Sequence, residues 1–388
     1  MNVLFLTHSF PRSEGDAAGS FILRLAVALR AEEIYVRVVA PASAGVPASA
    51  EIEGVSVERF RYAPRRYEKL AYTGNMANDV ASSWSAKLAL VGFLGSDFVH
   101  AVRARRSFEP QVVHAHWWFP NGVVGTWVSG LAHVPLVTTL HGTDVRLART
   151  VGVAKPMFSH VLKHSAAVTT VSHWLKEETE ALVPGVHPVV APMPVATDLF
   201  APGSSRDGRR LLFVGRLTPQ KGVEHLLQAL ASMKSEASLD IVGDGPSRSS
   251  LEQLGQQLGV GSRIRWHGQL SQSDLPPLYQ GAAAVVVPSI DEGLGLVAVE
   301  ALLCETPVVA FDSGGLRDVI QHNKTGLLVK PGDRAALAGA LDDLLARDGH
   351  GSDLGRAGRL YALSAFAPES VARRYAEIYR QVLDADAS

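Results

Sequence analysis

Three clusters of residues in this 388-residue chain combine side-chain types and spacings that chemistry can use. Gly215-Arg216-Leu217-Thr218-Pro219-Gln220-Lys221-Gly222 is a glycine turn carrying two cations ahead of a helical stretch at 223–230. Glycine permits close backbone approach, a helix amino terminus favours an anion, and Arg216 and Lys221 add fixed positive charge, a combination suited to a diphosphate. Such a turn serves a purely structural role equally well, and without the Gly-Lys-Ser/Thr ending of a P-loop it does not imply ATP hydrolysis. The second cluster, Glu292-Gly293-Leu294-Gly295-Leu296, opens a helix expected at 297–303 that contains Glu300. Gly293 and Gly295 would offer amide donors to phosphate or sugar hydroxyls. Glu300 is expected nearly two turns into the helix and, at eight residues, about 80° around an ideal helix from Glu292. The two carboxylates should therefore reach different parts of one ligand, which disfavours a hydrolytic pair. The third cluster is His141-Gly142-Thr143-Asp144. It follows a short apolar run, so His141 stands at a strand end, where capping a turn is the plainer role.

Something must hold these loops in place. Short apolar runs at 3–6, 35–40, 112–114, 136–140 and 167–171 alternate with helical patterns such as 21–30, and the alternation restarts at 210–214, 239–242, 263–267, 284–287, 307–310 and 326–329. Continuous apolar strands between amphipathic helices are the signature of parallel sheets covered on both faces. The expected fold class is α/β, with two doubly wound Rossmann-like domains facing across a cleft. In that architecture ligands bind at the carboxyl ends of strands, where all three clusters fall. Proline and glycine gather between Pro184 and Ser205, which sets domain boundaries at 1–190, a linker at 191–206, a second domain at 207–365, and a terminal helix at 366–388 crossing back to the first domain.

Composition narrows the function. With 37 basic against 38 acidic side chains the chain has no general basic field, and no nucleic-acid-binding motif is evident, so nucleic acid is not an expected partner. A single cysteine, Cys304, lies in an apolar stretch and reads as core, in keeping with a reducing compartment. Residues 110–143 lack Asp, Glu, Lys and Arg, but Pro120, Asn121, Gly122 and Pro135 divide them into a short helix and a strand, too short for a transmembrane span. Val3-Leu4-Phe5-Leu6 has no basic segment before it and reads as a buried strand, and the expected location is the cytoplasm. Arg59, Arg61, Arg65 and Arg66 interleave with Phe60, Tyr62 and Tyr67, and Arg103, Arg105 and Arg106 form a second cluster. These are either a solvated surface or a patch for an anionic acceptor or anionic lipid heads at the inner membrane face.

Taken in order, the 215–222 turn, Val242-Gly243-Asp244-Gly245-Pro246 and Glu292-Gly-Leu-Gly-Leu with Glu300 resemble the retaining glycosyltransferases of the GT4 family, which have the GT-B fold. The resemblance covers essentially the whole chain and is densest over 211–332. It implies a nucleoside-diphosphate sugar, UDP- or GDP-linked, as donor and an acceptor hydroxyl, lipid-linked or on a polysaccharide, with no cofactor and no metal. Arg216 and Lys221 would then lie on the diphosphate, Glu300 on the ribose, Glu292 on the hexose, and the amides of Gly293, Leu294, Gly295 and Leu296 around phosphate and sugar. The backbone of 266–268 would face the base. His141-Gly-Thr-Asp144 is similar to the family's His-Gly-x-Asp element, which makes His141, with Glu292, a candidate catalytic residue and adds Asp144 to the donor contacts. The loop 15–20, with Gly19, would direct amides at the leaving phosphate.

The chain departs from the family pattern at three places: Leu294 replaces the usual aromatic, Cys304-Glu305-Thr306 the common Cys-Gly-Thr, and Met193-Pro194-Val195 the frequent Asn-Gly-Val. The last removes a backbone donor, which weakens the expectation of donor contacts there. His114-Ala115-His116 and Asp384-Ala385-Asp386 superficially suggest metal ligands, but no third ligand accompanies the histidines in sequence and the acidic pair sits where chains usually fray. The rivals are a nucleotide-sugar epimerase or hydrolase of the same architecture and a non-catalytic sugar-nucleotide binding protein. A nicotinamide-dependent oxidoreductase predicts a Gly-x-Gly-x-x-Gly loop where Thr7-His8-Ser9-Phe10-Pro11 stands. Acceptor contacts are expected from the loops 61–75 and 117–121.

Overall fold

The computed structural model describes residues 1–72, 76–204, 206–346 and 350–386. Ser205 of the expected linker, 73–75 of the expected acceptor loop, 347–349 of the second domain and 387–388 of the terminal helix lie outside the described residues. The chain divides into two units, residues 1–194 with 368–388, and residues 195–367.

The first unit is built on β1 (Asn2–Leu6), β2 (Tyr35–Pro41), β3 (Ser49–Ile52), β4 (Val55–Phe60), β5 (Val112–His116), β6 (Leu136–Leu140), β7 (Ala167–Thr170) and β8 (Val189–Val190). The sheet order is β3-β4-β2-β1-β5-β6-β7-β8, and every pairing is parallel except β3 with β4. That hairpin turns on Glu53 and Gly54, both with positive φ as a two-residue type I′ turn requires. Its strands are short and half polar, with no continuous apolar run to announce them. The helices are α1 (Ser20–Ala28), α2 (Met76–Ser82), α3 (Trp84–Phe108), α4 (Val123–Ala132), α5 (Thr143–Thr150), α6 (Ala154–Lys163) and α7 (His173–Leu182). The uncharged stretch 110–143 resolves into β5, α4 and β6.

The second unit has six parallel strands, β9 (Arg210–Val214), β10 (Ser238–Val242), β11 (Ile264–Gly268), β12 (Ala284–Val287), β13 (Val308–Phe311) and β14 (Leu327–Val329), in the order β11-β10-β9-β12-β13-β14. Helices α8 (Val223–Ser232), α9 (Arg248–Gln257), α10 (Pro276–Gly281), α11 (Leu296–Leu303), α12 (Leu316–Val319), α13 (Arg334–Ala346) and α14 (His350–Phe366) complete it. Counted from β9 the order is 3-2-1-4-5-6, so the chain reverses direction across the sheet between β9 and β12, and a crevice opens outside their carboxyl ends. Leu211, Phe213, Val286 and Val309 are fully buried there, which fixes the strand ends from beneath.

The division between the units falls inside the expected linker: residues up to Pro194 group with the first unit and those from Val195 with the second. The Val195 amide donates to Phe366 O, Phe200 packs edge-on against Tyr279, and Gln280 caps the Ala201 carbonyl, so 195–201 is bound into the second unit's core. The last helix, α15 (Pro368–Asp386), packs within the first unit: Tyr375 and Tyr379 are fully buried there, and Arg374 donates to Val190 O. The acidic Asp384-Ala385-Asp386 run continues this helix.

Candidate functional site

In the second unit the loops after β9, β10, β12 and β13 interlock, and glycines make that possible. A Cβ on Gly222 would meet Pro288 O at 2.0 Å, and one on Gly243 would meet Gly215 O at 2.0 Å. No side chain fits at either place, so the turn 215–222 lies directly on the backbone after β12. Gln220 locks the two together, donating to Asp291 O and accepting at its own carbonyl from the Ile290 amide. Lys221 Nζ then stands 2.6 Å from Glu292 Oε2, so the expected diphosphate cation and the expected hexose carboxylate form one ion pair, each side chain less than a third exposed. Arg216, on the same turn, is exposed.

Helix α11 begins at Leu296, one residue before its expected start, and Gly295 caps it with φ 92°. Glu300 sits about one turn into the helix, as a start at either 296 or 297 requires, and not nearly two. The ideal-helix angle between the two glutamates also fails, because 291–295 is a loop in which Asp291 and Gly295 have positive φ. Glu300 is buried and its carboxylate takes separate partners, Tyr279 Oη at 2.7 Å and Gln272 Nε2 at 3.2 Å. A carboxylate has about four acceptor positions, and these two bonds orient it. Of the four residues whose amides were expected around the ligand, Gly293 and Leu296 are half-buried, whereas Leu294, at 5% exposure, and Gly295 are buried. Among the described residues no hydrogen bond occupies the Gly293 or Leu296 N–H.

Sequence reasoning missed several parts of this site. Ser313, Gly314 and Gly315 after β13 press against the 291–293 backbone: the Gly315 amide donates to Glu292 O, Ser313 Oγ accepts from the Asp291 amide, and a Cβ on Gly314 would meet Glu292 O at 2.3 Å. A Gly-Gly pair directly after an apolar strand was the available signal. Tyr279 and Gln272 carried none. Ser289 Oγ and His225 Nδ1 are buried without partners beside the same loops, polar atoms that a ligand could satisfy. The backbone at 266–268 ends the edge strand β11, and its Gly268 carbonyl is already taken by the Gly243 amide.

In the first unit His141 follows β6 directly. Asp144, at the start of α5, gathers the turn: its Oδ1 accepts from the amides of His141, Gly142 and Val145 at 2.9–3.1 Å, and its Oδ2 from that of Trp118. Burial pushes this carboxyl up to about 6 despite those bonds. The Asp144 side chain thus faces its own backbone. His141 Nε2 lies 3.2 Å from His116 Nδ1, with Trp117 and Phe21 stacked on the ring at centroid distances of 4.3 and 5.4 Å. Burial first, then the neighbouring imidazoles, hold His141 and His116 well below the usual histidine range, so both are neutral near pH 7.

Two neutral imidazoles sharing one contact place the proton on one of them. His116 Nε2 is buried with no partner, and an unpartnered acceptor costs less than an unpartnered N–H. The favoured tautomer has His116 donating from Nδ1 to His141 Nε2, which puts the His141 proton on Nδ1, available to a ligand.

The network continues. His8 contacts Asn121, which donates to the fully buried Asp97, while His114 lies between Tyr379 Oη at 2.7 Å and Thr139 Oγ1 at 2.6 Å. His114 and His116 are therefore structural imidazoles, and among the described residues no three His, Cys, Asp or Glu side chains form a metal-ligating group. Gly19 caps α1 with φ 68°, and a Cβ there would meet Ser9 O at 2.3 Å, so glycine is what lets the 15–20 turn lie on the loop after β1.

Two parallel-sheet units with these strand-end loops define a GT-B architecture. Family models agree: residues 17–194 match the glycosyl transferase 4-like domain and residues 195–361 the glycosyl transferases group 1. The chain belongs to this GT4-type glycosyltransferase family, and it is a transferase of glycosyl groups. Its relatives include the D-inositol 3-phosphate glycosyltransferases of Frankia alni, 32% identical over 97% of this chain and 98% of that protein, and of Thermobispora bispora, 30% identical over 95% and 91%. Among solved structures, a sucrose-phosphate synthase from Thermosynechococcus elongatus superposes with a TM-score of 0.83 at 24% identity, covering 99% of both chains. Anabaena HepE, solved with UDP-glucose, superposes at 0.73 and 19%, covering 98% of this chain and all of that one.

Proposed function

We propose that this enzyme moves a hexose-type sugar from a nucleoside-diphosphate sugar, UDP- or GDP-linked, to an acceptor hydroxyl with retention at the anomeric carbon. The observation that carries the proposal is the Lys221–Glu292 pair at the β9/β12 switch point, 2.6 Å apart beside the Gly293 and Leu296 amides. A diphosphate would draw Lys221 from Glu292 and release that carboxylate to the hexose hydroxyls, so donor binding exchanges one ion pair for two ligand contacts. Arg216 would share the phosphate charge, and Glu300, held by Tyr279 and Gln272, would receive the ribose hydroxyls.

In the transfer step the bond from the anomeric carbon to the phosphate oxygen breaks, the acceptor oxygen bonds to that carbon from the same face, and the acceptor proton passes to the departing phosphate. Charge develops on the diphosphate, where Lys221, Arg216 and backbone amides act with no reorganisation, so the reaction as proposed needs neither metal nor cofactor. His141, neutral and protonated on Nδ1, serves as hydrogen-bond donor to the sugar. Asp144 is a positioning residue that holds His141 through the turn backbone, and Gly19 allows the 15–20 turn its place. HepE was solved with UDP-glucose, which supports a nucleotide-sugar donor for this chain. The acceptor belongs to polysaccharide, glycolipid or glycoconjugate synthesis in the cytoplasm.

The test is thermal stabilisation by UDP-, GDP- and ADP-sugars of the natural protein, Lys221→Ala and Glu300→Ala. Stabilisation by one nucleotide class, lost in both variants, is the expected result. No stabilisation by any of them would refute the donor site, and an exclusively inverted product anomer would refute retention.

A further inference from the structure

Helix α3 is apolar on two opposite faces, and only one of them is used by the fold. Its inner face carries Ala89, Phe93, Asp97, Ala101 and Ala104, all buried. At about 100° per residue, Trp84, Leu88, Val91, Gly95 and Val99 fall within an arc of about 80° on the opposite side. There Trp84 is 79% exposed, Leu88 72% and Val91 68%. The stripe widens onto α4, where Phe98 stacks edge-on with Trp127, itself 45% exposed, and Leu131 is 63% exposed. The helix is long and apolar enough to cross a membrane by length and composition. Its inner face, however, packs on the sheet and holds Asp97 to Asn121, so the helix cannot leave the fold to span.

The charge around the stripe is mainly basic. Residues 79–109 contain four basic side chains, Lys87, Arg103, Arg105 and Arg106, against Asp79, the buried Asp97 and the capping Glu109. Lys87 lies over the Trp84 ring at 4.5 Å, and Arg103 and Arg106 are exposed where the helix ends. Along one flank runs the 61–69 turn: Ser96 Oγ donates to Arg61 O, and Gly92 leaves room for the Tyr62 carbonyl, on which a Cβ would intrude at 2.2 Å. That turn brings exposed Arg65, Arg66 and Lys69 alongside the stripe. Arg59, from the same sequence cluster, is instead buried on Pro11 O and Tyr72 Oη.

We infer that the outer face of α3, with Trp127 and Leu131, is a docking surface for a bilayer containing anionic lipids, on which α3 lies flat. Apolar side chains enter the interface, tryptophans occupy the boundary they favour, and the basic rim meets lipid phosphates. The apolar stripe stands independently of the donor site, since none of its residues belongs to it, although the rim residues Arg65, Arg66 and Lys69 lie in the loop expected to meet the acceptor.

The experiment is co-sedimentation of the full chain with phosphatidylcholine vesicles with and without phosphatidylglycerol, together with the tryptophan emission maximum. Binding to the anionic vesicles with a blue shift is expected, weakening with salt and falling roughly tenfold or more in Leu88→Asp/Val91→Asp, whose exposed positions leave thermal unfolding unchanged. Arg103→Glu/Arg106→Glu should weaken binding while keeping a blue shift for the fraction bound. Three results would overturn the inference: no partition onto anionic vesicles, partition unaffected by Leu88→Asp/Val91→Asp, or a dimer that this variant dissociates while vesicles bind nothing.

Discussion

The two units share a parallel-sheet plan yet make their loops by opposite means. The second unit uses absent side chains. Glycines at 222, 243 and 314, each with positive φ, let four strand-end loops lie on one another's backbone, and few polar side chains complete the site. The first unit fills the equivalent strand ends with imidazoles, aromatic rings and a buried carboxylate, positioned by one another across large sequence separations. The comparison shows that a rigid site can be specified by close backbone approach or by a polar network. Each has its own weakness: added volume in one, altered protonation in the other.

The largest expected effect attacks the backbone approach. Gly243→Ala places a methyl where Gly215 O stands at 2.0 Å, at φ 128°, and should destabilise the second unit by about 4 kcal/mol or more, read by denaturant unfolding. Gly15→Ala is the control, since nothing lies within 4 Å of its Cβ, and its cost should be about 1 kcal/mol, from positive φ alone. If the two cost the same, interlocking glycines do not explain the second unit.

Next comes the Lys221–Glu292 ion pair of that site. Lys221→Ala should lower kcat by roughly 100- to 1000-fold, the usual loss when a group stabilising developing charge is removed. A loss confined to KM would mean that Lys221 binds the ground state and the transition state alike.

The third prediction separates the units by pH. Burial lowers His8 to about 4 and His114 to about 3, and holds His116 and His141 well below their usual range. The unfolded chain therefore binds more protons than the folded one as pH falls below 6.5, and the first unit loses stability from there down towards those lowered values. Asp144, raised to about 6, and Asp97, raised well above the carboxylate range, act in the opposite sense below pH 6, two groups against four. In the second unit Cys304 is held at about 12 and Tyr279 above the tyrosine range, both outside this window. Hydrogen exchange should show β5 and β6 amides losing protection between pH 6.5 and 5 while β9 and β10 amides hold. Equal loss in both units would remove the imidazole network as the cause.

The smallest effect is local to that network. Tyr379→Phe removes the partner of His114 Nδ1 and should cost about 1–2 kcal/mol, with acid sensitivity retained.

What the sequence by itself determined is set by locality. Parallel α/β units, the basic glycine turn, Glu292, Glu300 and His141 were legible because each rests on a run of under about ten residues, whose apolar continuity or glycine content reports the backbone directly. Tertiary structure decided the rest. The β3–β4 hairpin is too short and polar to be read, and α3, apolar on both faces, lacks the one-sided periodicity that marks a helix. The Lys221–Glu292 pairing spans 71 residues and the His114–Tyr379 contact 265, distances over which local pattern carries no information. Asp144 looked like a ligand residue and proved to be bound by its own turn, since only folding settles whether a carboxylate faces a site or the backbone amides beneath it.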